Sequence, residues 1–236
     1  MAEPILWIPG LMADARLFLP QIVQMGAAHP MHIALATDAD TVEQLSQNIL
    51  ACAPPTFILV GHGLGGDIAL DILRRAPERV TRVVLMATEP LAEQPQIAAA
   101  RESRIVAAKA GRLVEAMREE IPVHALADTE WRAEVLDLVQ DMALGLGEGV
   151  FIRQTRALQR RPDQQKTMRR VKVPALILAG RMDGLVPLRR HEFNASFLPY
   201  GRLRIIEDAG YLPSLEQPDA VTDALLDFIN GPVVLR

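Results

Sequence analysis

Residues 56–75 read TFILVGHGLGGDIALDILRR, and the rest of the chain is organised around them. Residues 56–60 are a short β-rich apolar run, residues 61–66 hold four glycines, and residues 67–75 repeat apolar side chains at helical spacing. That is strand, tight turn, helix. Upstream, residues 4–8 form a second short apolar run closed by Pro9-Gly10, residues 15–27 place Leu17, Phe18, Ile22, Val23 and Met25 mostly on one helical face, and residues 33–36 predict another strand. Thr41 followed by Gln44 has the spacing of a capping box at the start of a helix. Downstream, residues 82–87 (RVVLMA) predict a fourth strand. No strand pattern then occurs before about residue 170, only helical patterns at 96–109, 113–119, 130–144 and 150–159. The strand rhythm returns at 175–179 and 203–206, with helices at 188–197 and 218–229. Alternation of this kind predicts an α/β fold with a mostly parallel, doubly wound sheet. The core comprises residues 1–89 and 171–236, and residues 90–170 form an all-helical cap insertion over the carboxyl edge of the strands, where open α/β sheets place ligands.

Composition narrows the partners. The chain has 236 residues, half of them apolar, enough for a sizeable core. A formal charge of −4 and a pI near 5.8 give no field suited to nucleic acid or an anionic membrane. The single cysteine, Cys52, excludes an internal disulfide and reads as inert core on an apolar helix. Without a leader pattern or an apolar run approaching about 18 residues, a cytoplasmic protein is expected. His29 and His32 have no further ligand types nearby, so no metal is expected. No cofactor is expected either, and the anticipated partner is a small molecule.

Two active-site motifs share the shape of residues 56–75. One is the dinucleotide fingerprint G-x-G-x-x-G, satisfied by Gly61, Gly63 and Gly66, with Glu89 placed as a ribose partner roughly 20 residues or more further on. The other is the nucleophile elbow G-x-S-x-G, in which a sharp turn lifts a serine above the sheet. Here it reads Gly61-His62-Gly63-Leu64-Gly65, with glycine at the serine position.

Four segments together resemble the α/β-hydrolase fold superfamily, in its branch of small, capped, esterase-like members. Residues 6–12 (LWIPGLM) resemble the first strand and oxyanion loop, residues 61–66 the elbow, residues 180–187 (GRMDGLVP) the loop carrying the triad acid, and residues 209–218 (AGYLPSLEQP) the segment carrying the triad histidine. The resemblance implies that Asp183 holds the acid position, Gly63 the lost nucleophile position and Tyr211 the lost histidine position. It also implies that Leu11, Met12, His62 and Leu64 border the binding site.

Without Ser and His the acyl-enzyme mechanism is unavailable, because no side chain can form the acyl intermediate and a phenol is a poor base at neutral pH. Asp183 is left without an imidazole, although the Tyr211 phenol could donate to it. The leading expectation is a non-hydrolytic or unusual-chemistry relative that binds a small apolar or acyl ligand, the apolar character being suggested by Met12 and Leu91. The alternatives are serine-independent hydrolysis of carboxylic esters or related acyl compounds by the oxyanion loop and an activated water, and dinucleotide binding. His62, which flanks the elbow, is expected to pack inward, a base acting through water being the lesser alternative. Ser214 is expected to make a local turn or helix-start bond, and Asp14 to pair with Arg16. Asp67 is explained by the helix dipole. The cationic run Arg153, Arg156, Arg160, Arg161, Lys166, Arg169 and Arg170 is read as a solvated face.

Overall fold

The computed structural model describes residues 2–232. Six strands, β1 (Ile5–Ile8), β2 (Met31–Ile33), β3 (Phe57–His62), β4 (Val80–Met86), β5 (Ala175–Gly180) and β6 (Gly201–Ile206), form one sheet in the order β2-β1-β3-β4-β5-β6, and every pairing is parallel. All residues of β1, β3 and β5 are buried, which is why these strands read as unbroken apolar runs rather than alternating ones. The expected second strand at 33–36 is displaced to Met31–Ile33. This edge strand is mostly exposed, so burial leaves little apolar signature to locate it.

Before and between these strands lie α1 (Leu19–Met25), α2 (Val42–Cys52) and α3 (Leu64–Arg75). Thr41 caps α2 by accepting from the Gln44 N–H at 3.2 Å, a contact worth about 1 kcal/mol. The Gln44 side chain bonds Asn48 instead of completing the box. At the other end of α2, Arg79 donates to the carbonyls of Leu50, Ala53, Pro54 and Pro55. Cys52 is exposed, not core: it falls in the last turn of α2, beyond the buried face formed by Val42, Leu45 and Ile49.

Between β4 and β5 the chain is helical: α4 (Pro95–Lys109), α5 (Leu113–Glu120), α6 (Arg132–Leu146), α7 (Glu148–Gln159) and the short α8 (Gln165–Met168). After β5 come α9 (Leu188–Phe197), α10 (Pro213–Glu216) and α11 (Pro218–Asn230). Among the described residues no helix is long and apolar enough to cross a membrane.

The elbow is positioned by close packing at two glycines. A Cβ on Gly65 would lie 2.0 Å from the Ile8 carbonyl oxygen, and one on Gly66 would lie 1.9 Å from Thr88 Oγ1. Glycine therefore lets the start of α3 press against the ends of β1 and β4. The register pairs Ile8 with Gly61 and His62 with Met86, so these strand ends finish level beneath the loops that form the site.

Candidate active site

Gly63 ends β3 with φ 52° and ψ −119°, a left-handed conformation that favours glycine. Its N–H donates to the Met86 carbonyl at 2.9 Å, and its own carbonyl accepts from Gly66 and Asp67. Glycine adopts this sharp turn without the Cβ clash that another residue would meet. A Cβ placed on Gly63 would lie 2.8 Å from the Tyr211 hydroxyl oxygen. The phenol fills the room that a side chain at residue 63 would need.

Tyr211 is held rigidly there. Its N–H donates to the Ala125 carbonyl at 2.9 Å, His62 Nε2–H donates to its carbonyl at 2.8 Å, and the two rings meet edge to face with centroids 4.9 Å apart. Glu216 fixes the surrounding loop by accepting from the backbone N–H groups of Ala127, Gly210 and Leu212 at 2.7–2.9 Å. Ala127 lies between α5 and α6, so this carboxylate ties the helical segment to the loop that carries the tyrosine. Burial and the Asp183 carboxylate push the Tyr211 phenol far above its usual range, which keeps it a neutral donor at any working pH. Among the described residues its hydroxyl has no hydrogen-bond acceptor.

His62 does not face the main cavity. It lines a small separate void with Gly10, Met12 and Leu17, and its Nδ1 makes no hydrogen bond. Burial lowers its pKa, so the ring is neutral. Its place is beneath Tyr211 as a support, packed inward as a residue flanking the elbow is expected to be, and the lesser reading of a base at the cavity does not fit this geometry. Met12 is likewise buried, with its N–H donated to Gln154 Oε1 at 2.7 Å.

Asp183 is buried and accepts from the N–H groups of Leu185 and Val186 at 2.8 and 2.9 Å. Its other oxygen lies 3.5 Å from Nε2 of His191, a buried residue of α9. Asp183 therefore has an imidazole neighbour, eight residues on, that nothing in the helical pattern of 188–197 singles out. The expected Tyr211–Asp183 hydrogen bond is absent among the described residues, because the phenol points at Gly63. Asp183 shapes the loop that presents Leu185 and Val186 to the cavity.

That cavity has a volume of about 320 Å³ and lies between the strand ends and the helical segment. Leu11, Gly63, Leu64 and Tyr211 form one side. Among the described residues, the backbone N–H groups of Leu11 and of Leu64, the first residue of α3, donate to no acceptor. The rest of the lining is mixed rather than purely apolar: Leu91, Ile97, Ile121 and Leu158 stand among the charged side chains Asp67, Glu89, Glu93, Arg101, Glu120, Arg161 and Arg190. Arg101 pairs with Glu93 at 2.6 Å and Glu120 at 2.8 Å, Arg190 with Glu89 at 3.0 Å, and Arg161 with Glu93 at 3.5 Å. Arg161, read from sequence as part of a solvated face, is largely buried here.

Asp67 is the residue that sequence reasoning underrated. It is 3 % exposed, its Oδ2 makes no hydrogen bond, and Arg161 Nη1 stands 3.6 Å away, at ion-pair but not hydrogen-bond distance. Burial pushes its carboxyl up to about 7, with the nearby Arg161 opposing the rise and Glu89 and Glu93 adding to it. Ser214, the second residue of α10, makes no local side-chain bond among the described residues: its hydroxyl lies 3.5 Å from Met86 Sδ in the core. Asp14 and Arg16 do pair, through three charge-assisted contacts.

The dinucleotide alternative loses its structural basis. Gly66 and Gly61 are packed against Thr88 and the turn of α3, leaving no cradle for a pyrophosphate, and Glu89 is paired with Arg190 inside the cavity. Among the described residues no group of His, Cys, Asp and Glu side chains is arranged to hold a metal ion.

Comparison with known proteins agrees with this architecture. Residues 27–218 match the family described as alpha/beta hydrolase fold. The chain is 29 % identical over 221 residues to a pimeloyl-[acyl-carrier protein] methyl ester esterase of Aromatoleum aromaticum, covering 86 % of each protein. Among solved structures it superposes on a thermophilic esterase from Thermogutta terrifontis with a TM-score of 0.88 at 21 % identity, covering 98 % of this chain and 90 % of that one. An enol-lactonase from Burkholderia xenovorans LB400 gives 0.85 at 20 % identity, with 98 % and 92 % covered. At these identities the two structures speak for the fold alone. With a parallel sheet of this order, an elbow at Gly63 and a family match spanning most of its length, the chain belongs to the α/β hydrolase fold family.

Proposed function

We propose that this protein takes small carboxylic esters or related acyl compounds into the cavity above Gly63 and handles them without an acyl-serine intermediate, the helical segment 90–170 acting as the cap. The observation that carries the reading is the donor set beside Gly63. The N–H groups of Leu11 and Leu64 and the Tyr211 hydroxyl border one space and have no acceptor within the described residues. Such donors suit a carbonyl oxygen, and the esterase relatives supply the substrate class.

The same donor set favours a second reading, slow hydrolysis of these esters by direct attack of water. Oxyanion binding and positioning alone can retain roughly 10³-fold to 10⁴-fold acceleration.

The test compares wild type with Gly63→Ser/Tyr211→His on short aryl esters and thioesters, alongside a serine-directed fluorophosphonate. The expected result is saturable ester binding by wild type with no covalent labelling, and labelling of the double variant. Wild-type turnover without labelling selects the water route. Covalent labelling of the wild-type protein at this site, or failure of every ester to bind it, overturns the proposal.

A further inference from the structure

Charge on the cavity wall is unevenly satisfied. Each guanidinium there already has a carboxylate: Arg101 has Glu93 and Glu120, Arg104 has Glu119 and Glu120, Arg161 has Glu93 and Asp67, and Arg190 has Glu89. The carboxylates are not equally provided for. Asp67 Oδ2 and Glu89 Oε1 are buried oxygens without a hydrogen bond. Leaving such an acceptor unmet costs about 1–3 kcal/mol, more when it is charged. A second anion would have to compete for guanidiniums already engaged, whereas a cation or other donor would complete what is missing.

Position ties this wall to the donor set at Gly63. Asp67 lies in the first turn of α3, where its N–H donates to the Gly63 carbonyl at 3.1 Å, and its side chain lines the same cavity as Leu64 and Tyr211. One turn of helix is about 5.4 Å, so a ligand only a few atoms long reaches from one group to the other.

We infer that Asp67, supported by Glu89, is a specificity-determining subsite for a hydrogen-bond-donating, preferentially cationic, group on the ligand, so that the compound taken by this cavity carries an amine at one end and a carbonyl at the other. This rests on the acyl-compound reading above. The elevated carboxyl of Asp67 accords with it, since an ammonium ion beside that group would favour its ionised form and binding would release a proton. Arg161, Arg101 and Arg190 face the group from one sign, and Glu89, Glu93 and Glu120 from the other; a cationic ligand shifts this balance only at the unmet oxygens.

The test measures binding, by calorimetry, of methyl esters of four- to six-carbon ω-amino acids, each against the methyl alkanoate in which CH₃ replaces NH₃⁺. The n-pentylammonium ion serves as a control without the ester. Wild type is expected to prefer the amino ester at least about tenfold, with buffer-dependent heats that reveal proton release. Asp67→Asn is expected to bring the pair within about twofold and abolish the proton release, while still binding the alkanoate. No preference in wild type, or a preference that survives Asp67→Asn, overturns the inference. Should pentylammonium bind in an Asp67-dependent way while no ester binds, the subsite stands and the acyl reading falls. Should neither amine nor amino ester bind, the subsite falls.

Discussion

The two sides of the cavity meet the same demand, a polar surface inside a buried pocket, by different means. On the Gly63 side, neutral donors are held by a hydrogen-bonded framework: Tyr211 is pinned through Ala125, His62 and the Glu216 clamp. On the opposite wall, polarity comes from full charges that largely neutralise one another, with Asp67 left over. A rigid neutral surface can bind a carbonyl without altering its protonation. A wall of paired charges with one unmet carboxylate responds to pH and to the charge of what enters.

The largest expected effect tests the rigidity of the first side. Glu216→Ala leaves three buried N–H donors without an acceptor, each contact to a charged group being worth roughly 1.5–3 kcal/mol. Denaturant unfolding should show a loss of about 5 kcal/mol, and a loss below about 1 kcal/mol would mean that the clamp does not hold Tyr211 in place.

Next comes the charge of the opposite wall. An Asp67 carboxyl raised to about 7 means that the folded protein keeps a proton which the unfolded chain gives up near pH 4, so this group's contribution to stability falls as pH rises from about 4 to about 7 and levels above that. The full effect is of the order of 4 kcal/mol. Asp67→Asn should therefore gain on wild type progressively between pH 5 and pH 8 in thermal or denaturant unfolding; a stability difference independent of pH would remove the case for a buried, costly carboxylate.

The smallest effect sharpens the relation between Gly63 and Tyr211. Gly63→Ala adds a Cβ at positive φ and 2.8 Å from the phenol oxygen, at a cost of about 1–3 kcal/mol. Removing that oxygen with Tyr211→Phe should recover about 1 kcal/mol of it in a double-mutant cycle. Strict additivity would place the tyrosine hydroxyl elsewhere.

Most of the framework was legible in advance. Strands β1, β3, β4 and β5 and the helices between them follow from local apolar period and from glycine and proline punctuation, which burial in a parallel sheet makes strong. The edge strand β2 was not, because half-exposed residues carry a weak pattern. Of the candidate residues, Gly63, Leu11, Leu64 and Tyr211 come together at the cavity, while His62, Met12 and Asp183 support it from behind.

The sequence by itself determined that glycine stands at residue 63 and tyrosine at residue 211, within segments that resemble the family's elbow and histidine motifs. Those are facts of residue identity within local motifs. Only the tertiary structure decided that the tyrosine hydroxyl occupies the space above Gly63, that His191 approaches Asp183, and that Asp67 meets Arg161 across a pocket wall. Tyr211 and Gly63, like Arg161 and Asp67, are far apart in the chain. Whether a carboxylate sits in water beside a helix dipole or in a cavity with an unmet oxygen depends on what packs over it, and the period of its own helix carries no record of that.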